Sequence, residues 1–237
     1  GMVGAIPPHI SKSGNNKEVP EIADCVVDLG LKAEKVHKLV SIGDVVSFYP
    51  PFEETEDAII SKAIDNRVGL FVMLEALRKK PKLNCDLYLT ATVQEEAGLR
   101  GARIIVPVIE PDFVLALEGT VAMDLPGIAE NKTLANIEKG PEIRLLDRFL
   151  VAHRPFSYFI MDIAKKKKIP YQVTVKNAGS TNDTAMQVTG KGSRAAVVSV
   201  PTRYLHSPSS IAYKTDIEDT IKLIYHIIEG IKDFKIQ

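Results

Sequence analysis

The stretch Thr92-Val-Gln-Glu-Glu-Ala-Gly-Leu-Arg-Gly-Ala102 sets two adjacent carboxylates at the end of an alternating apolar run and places glycine directly after them. Upstream, Cys85, Leu87, Leu89, Ala91 and Val93 recur at every second position, the period of a strand with two distinct faces, so a strand is predicted over 85–93. Downstream, Gly98 and Gly101 bracket a turn, and 102–109 reads as a short helix or an apolar connection. This places Glu95 and Glu96 at a strand's carboxyl end, where open α/β sheets hold their ligands.

Adjacent glutamates point in different directions, so one can bind a metal while its neighbour faces the attacking water as general base. That division suits a metallohydrolase, in which an ion activates the nucleophile and a carboxylate moves the proton. Glu-Glu alone is common on solvated surfaces; three further sites give it meaning. Asp65, in Ser61-Lys-Ala-Ile-Asp-Asn-Arg-Val-Gly69, precedes a helix with Val68, Phe71, Val72, Ala76 and Leu77 on its apolar positions, and would serve either as a helix cap or as a ligand. Phe113-Val-Leu-Ala-Leu-Glu-Gly-Thr120 is an apolar strand ending in Glu118, an unusual place for an unpaired carboxylate. A third apolar strand, starting at Ala195, leads through Pro201-Thr-Arg-Tyr-Leu to His206.

Together, Asp65-Asn-Arg, Gln94-Glu-Glu-Ala-Gly-Leu-Arg-Gly-Ala, Leu117-Glu-Gly-Thr and Pro201-Thr-Arg-Tyr-Leu-His-Ser-Pro resemble the glutamyl aminopeptidase family, which includes the tetrahedral TET aminopeptidases and some relatives once labelled endoglucanases. The resemblance covers the chain from about Ile59 onward. It implies a co-catalytic two-metal exopeptidase in which Asp65 bridges the ions, Glu95 is the general base, and Glu96 and His206 complete one metal site. Glu118 would belong to the other ion, together with a histidine from an upstream His-x-Asp motif that this sequence does not contain. His9 resembles part of the family's inserted domain instead, so the chain looks like a relative lacking its N-terminal segment. Within Ala178-Gly-Ser-Thr-Asn-Asp-Thr-Ala185, a capping loop and a substrate contact are equally compatible with the residues. By resemblance, Gly179, Thr181 and either Asn182 or Asp183 line the substrate side of the pocket.

The implied fold is α/β, a mixed sheet sandwiched by helices, over 58–237, preceded at 1–57 by part of a β-rich inserted domain that makes subunit contacts in the family. On the residues alone, the first unit reads as short strands over 3–10 and 23–29, a polar loop over 11–20, a helix over 32–39 and a strand over 40–48. The second unit alternates helices with strands over 85–93, 113–118, 134–138, 171–175 and 195–200. Lys165 to Lys168 close a helix that starts near Pro155, where cations complement the dipole. Thr215-Asp-Ile-Glu218 reads as a capping box for a last helix with Ile217, Ile221, Ile224, Ile228 and Ile231 on its core stripe. His37, His153 and His226 are assigned to structure or surface.

Thirty basic residues balance thirty acidic ones, so no global field draws nucleic acid or an anionic membrane. No apolar run reaches the ~20 residues of a membrane span, and the isolated Cys25 and Cys85 favour a reducing cytoplasm over a disulfide framework. The expected chemistry is removal of N-terminal residues from peptides, with a hydroxide held between two divalent ions roughly 3.5–4 Å apart as nucleophile. Zinc fits the mixed carboxylate and imidazole set best, with cobalt or manganese as alternatives. With Asp65, Glu96 and His206 present but only Asp65 and Glu118 for the second ion, at most one tightly bound metal and little activity are expected of this chain. Self-association into homo-oligomers, a dodecamer in the family, is the expected partnership. The alternatives are a catalytically silent relative serving as an assembly or interaction protein, and a glycoside hydrolase using one of the glutamates with another carboxylate.

Overall fold

The computed structural model describes residues 1–4, 21–129 and 134–234. His9, the loop over 11–20 and most of the strand expected over 3–10 lie outside the described residues. The chain divides into two units, Gly1–Ser47 and Phe48–Gln237. In the first, β1 (Met2–Gly4) pairs antiparallel with β2 (Val26–Asp28), and α1 spans Ala33–Leu39. The strand expected over 40–48 does not form. Its start is a turn in which Ser41 N donates to Asp44 Oδ2 at 2.8 Å, Gly43 takes a φ of 99°, and Val45 and Val46 stay exposed with no ladder to join.

The second unit is built around β8 (Arg194–Arg203), whose residues from Ala195 to Thr202 are all buried, as an apolar run covered on both faces requires. Along one edge β8 pairs in parallel with β5 (Phe113–Val121), from Phe113↔Arg194 to Val121↔Thr202. Its other edge is shared: β6 (Glu142–Leu146) pairs antiparallel at residues 197–199, and β9 (Ser210–Tyr213) pairs antiparallel at 202–203. Beyond these, β7 (Gln172–Val175) joins β6 in parallel, and β4 (Ala58–Ser61) joins β9 and forms a hairpin with β3 (Glu53–Glu54). The result is a mixed seven-stranded sheet with helices on both faces.

The period of two along β8 sorts those faces. Ala196, Val198 and Val200, with Ile143 of β6, pack under α2 (Ile64–Arg78), α4 (Arg154–Lys167) and α6 (Lys214–Gly230). On the opposite face Val114 meets α3 (Arg100–Ile109) and α5 (Asn182–Val188), while Ala116, Ala195 and Val197 close over Leu150 and Ala152. Glu118 alternates with Ala116 and so belongs to this second face; contrary to the expectation from the sequence it does not end the strand, because β5 continues to Val121.

Three other expectations are corrected. Residues 85–93 have a strand's alternation but join no ladder: Tyr88 and Val93 are exposed, and apolar spacing supplies two faces without supplying a partner for the backbone. The strand expected over 134–138 is an irregular segment with Ala135 and Ile137 buried; Asn136 N is taken by Gln172 Oε1 at 2.9 Å and Ile137 N by Asp124 Oδ2 at 3.3 Å, and the strand begins only at Glu142. The capping box is not used either, because α6 starts at Lys214 and Asp216 turns its carboxylate to the backbone N–H groups of Glu138 (2.7 Å) and Gly140 (2.8 Å). Lys165 to Lys168 are exposed at the end of α4, as their sequence position implies.

Phe156 is 2% exposed and its ring lies 5.1 Å from that of Phe113 and 5.7 Å from that of Phe234. Phe156→Ala should therefore lower the free energy of unfolding by about 3–5 kcal/mol, measured by urea titration, with the larger values expected if the aromatic cluster cannot collapse into the space.

Candidate metal site

Four chain segments bring the candidate residues together. Asp65 comes after β4 through Ala63, which sits in the left-handed region at φ 52°, and the Asp65–Asn66 peptide is cis. Asp65 and Asn66 are themselves non-helical, and the side chain that caps the regular part of α2 is that of Asn66, whose Oδ1 accepts from Gly69 N at 3.0 Å, so Asp65 is not the helix cap that its sequence position also allowed. Glu95 and Glu96 lie in a tight loop where Glu95 O accepts from Gly98 N (3.0 Å) and Leu99 N (2.9 Å). Gly101 belongs to this turn because a Cβ there would fall 2.7 Å from Val93 N. Glu118 is carried on β5, and His206 comes after β8 in a loop fastened by Ser207 and Ser210, whose hydroxyls donate to Tyr204 O at 2.6 and 2.9 Å.

His206 Nε2 is 3.3 Å from Asp65 Oδ2 and 3.4 Å from Glu96 Oε1. One ligand atom from each of these three residues falls within 4.8 Å of the others. Asp65 is partly buried, whereas His206 and Glu96 are open to solvent, so the trio faces outward. Glu118 is 4% exposed and does not join that trio; its Oε2 accepts from Asn66 Nδ2. Gly119 lies against Asp65, with a built Cβ only 3.5 Å from Asp65 Cβ, which sets the Asp65 turn against the end of β5.

The carboxylates are crowded enough to oppose one another's ionisation. Burial, then the charges of Asp65 and Glu95, push Glu118 up to about 8. Burial, then Glu96 and Asp65, push Glu95 up to about 7, and Asp65 is raised by burial and Glu96 despite His206 beside it. This is a surplus of negative charge with one imidazole, the electrostatic setting that a divalent cation relieves. Mixed oxygen and nitrogen donors at this spacing fit a divalent cation.

The segment over 179–183 contributes the charge of Asp183 to the surroundings of Glu118. Gly179 takes a φ of 86°, Thr181 is buried at the start of α5 and donates its hydroxyl to Asp183 Oδ1, and Asp183 is fully buried with Oδ2 lacking a hydrogen-bond partner. Burial raises Asp183 to about 6. Asn182 Oδ1 is likewise buried without a partner.

The sequence reading missed a buried ionic layer on the same sheet face. Arg144 Nη2 and Nη1 meet Glu142 Oε2 (3.2 Å) and Asp147 Oδ2 (3.1 Å), and Lys176 Nζ meets Glu142 Oε1 at 2.7 Å. Burial would raise Glu142, but Arg144 and Lys176 outweigh it and hold the group at about 2. The signal was available in Glu142-Ile-Arg144, where charges two apart flank a buried isoleucine. His153 caps α4 by accepting from Phe156 N at 3.3 Å, and His226 lies 3.8 Å from Glu229, so neither approaches the site. Cys25 and Cys85 are exposed free thiols.

The chain matches the M42 glutamyl aminopeptidase family over residues 1–223. It is 31% identical over 237 residues to lysyl aminopeptidase of Pyrococcus furiosus, covering 98% of this chain and 67% of that protein. Among solved structures it is similar to an aminopeptidase from the archaeon Desulfurococcus kamchatkensis, with a TM-score of 0.91 and 36% identity over 99% of this chain and 67% of the other. It is also similar to the TET1 peptidase of Pyrococcus horikoshii, which can assemble into a tetrahedron or a large octahedral shell, with a TM-score of 0.76 and 27% identity over 95% of this chain and 67% of the other. The chain thus spans about two thirds of the length of these relatives.

Raised carboxylate pKa values make the folded chain bind more protons than the unfolded one, so stability is lost as pH climbs from the unfolded value of 4.5 toward about 8 for Glu118. His153 and His226, whose pKa values burial lowers, slope the opposite way. Comparing the chain with Glu118→Gln removes their contribution. In chelator, the melting temperature of the unaltered chain should fall relative to the variant between pH 5 and pH 8, and a divalent ion should recover more of that loss in the unaltered chain.

Proposed function

Because the chain belongs to the M42 glutamyl aminopeptidase family, a family of metallo-aminopeptidases, we propose that it carries the base and most of the ligands of an aminopeptidase acting on the N-termini of peptides. The observation that carries this reading is the convergence of Asp65, Glu96 and His206 from three separate turns, with Glu95 adjoining them. Divalent ions at such a site supply Lewis acidity to the scissile carbonyl and acidify the attacking water.

The side chains divide the remaining work. Asp65, Glu96 and His206 would hold one divalent ion, and Asp65 with Glu118 would serve a second. Glu95 takes the proton of the attacking water and passes it to the departing amine; its raised pKa of about 7 suits a group that must both accept and return a proton. Gly179, Thr181 and either Asn182 or Asp183 are assigned to the substrate side. Zinc is the preferred ion, with cobalt or manganese able to replace it. Among the described residues one imidazole lies at the site, so one ion is held tightly and the Glu118 position weakly, and turnover by this chain is low. The first unit acts in self-association, as in a family whose TET1 member assembles into shells. A cytoplasmic setting accords with the two free thiols.

Elemental analysis and hydrolysis of a panel of aminoacyl chromogenic substrates test the assignment. Up to about one tightly bound ion per chain is expected, Glu95→Gln should retain it, and His206→Ala should weaken it by more than the about ten- to hundredfold that loss of a supporting group costs, because a ligand itself is removed. Any measurable hydrolysis should drop by about 10²–10⁴-fold in Glu95→Gln. Loss of the ion in that variant would mean the two glutamates exchange roles, and two tight ions with robust turnover would refute the one-ion reading.

A further inference from the structure

Asn66 holds three groups with one carboxamide. Its Nδ2 donates to Leu117 O at 2.7 Å and also to Glu118 Oε2, while its Oδ1 accepts from Gly69 N at 3.0 Å. The orientation of the amide is fixed by these partners, because the carbonyl and carboxylate oxygens demand the NH₂ end and the backbone N–H demands the oxygen. Gly69 completes the arrangement: a Cβ there would fall 2.2 Å from Leu117 O and 2.3 Å from Asn66 Oδ1, so α2 can approach β5 this closely only through glycine.

We infer that Asn66 is a positioning residue, whose carboxamide pins Oε2 of Glu118 and leaves the other carboxylate oxygen to face a divalent ion. The assignment rests on the reading of Glu118 as a ligand. A buried carboxylate on a strand end can rotate about its side-chain torsions, and each misplaced rotamer would take the oxygen away from the ion. A donor that is anchored at the same time to the β5 backbone and to the first turns of α2 removes that freedom. It also ties Glu118 to Asp65, the residue next to Asn66, so the two carboxylates assigned to one ion share a single mechanical reference. Supporting groups of this kind change metal affinity by about 10–100-fold when removed.

The test is divalent-ion binding, Zn²⁺ and Mn²⁺, by calorimetric titration of the full 237-residue chain, alongside melting curves in chelator. Glu118→Ala defines the component of binding that depends on Glu118. Asn66→Ala and the nearly isosteric Asn66→Asp, which replaces the donor by a repelling oxygen, should each weaken that component by about 10–100-fold, Asp more than Ala. Neither substitution should weaken binding further in the Glu118→Ala background, where no carboxylate remains to be positioned. If both Asn66 variants melt earlier in chelator yet bind ions as the unaltered chain does, Asn66 is only a strut and the inference is overturned. If Glu118→Ala itself leaves binding unchanged, Glu118 is not a ligand and the reading beneath the inference fails with it. Gly69→Ala gives an independent check, since crowding Asn66 without removing it should lower the same component.

Discussion

The parallel pairing of β5 with β8 is the constraint from which the candidate site takes its geometry. Nine residues of β5 run in register beside β8, so the two strands end together, and the segments leaving them start from the same edge of the sheet. Glu118 is held on β5 three residues before that end, and His206 comes three residues after the end of β8. Asp65 reaches the same place because β4 is tied to the sheet through β9, and its turn lies against Gly119 of β5. Glu95 and Glu96 follow a segment that joins no ladder and are positioned by a loop closed on itself by bonds from Gly98 and Leu99 to Glu95 O.

The same sheet face solves the problem of buried charge in two opposite ways. Around Glu142 the carboxylates are matched by Arg144 and Lys176, and Glu142 remains ionised even though it is completely buried. Around Glu118 no basic side chain forms an ion pair among the described residues; Asn66 offers a neutral donor, and burial together with the neighbouring acids raises its pKa. A folded chain tolerates such a surplus where a ligand completes it, so the contrast between the two clusters supports reading the Glu142 network as structural and the Glu118 cluster as a candidate binding site.

Much of this was readable in the residues. Apolar runs at 113–118 and 195–200 correspond to β5 and β8, and both strands run several residues further than the apolar pattern because pairing continues through Gly119, Thr120, Pro201 and Thr202. What failed was whatever depends on a partner distant in sequence. Residues 85–93 alternate correctly yet have no ladder, and Thr215-Asp-Ile-Glu218 has the spacing of a capping box while Asp216 is drawn to the backbone of Glu138 and Gly140. Asn66 was visible only as a letter in a motif, since its side-chain bonds run to a strand about fifty residues later. Period and composition report faces and ends; they carry no information about which backbone group is waiting opposite.

Backbone conformation sets the direction in which each turn presents its ligand. Ala63, Gln94, Leu99, Tyr204 and His206 all lie at positive φ without being glycine, and every one of them falls in a turn that delivers or flanks a candidate ligand. Each such residue costs on the order of 1 kcal/mol relative to an extended or helical conformation, so the turns would relax if they were not held. They are held by bonds that run mainly within the turns themselves: Ser207 and Ser210 to Tyr204 O, and Gly98 and Leu99 to Glu95 O. The same conformation occurs at Lys80, Glu110, Glu138 and Lys168, away from the site, but on the three segments that converge here it would favour a preorganised ligand set, because ligands that are already placed lose less freedom when an ion arrives. The rigid sheet supplies the edge, and the strained turns supply the directions in which Asp65, Glu96 and His206 face one another.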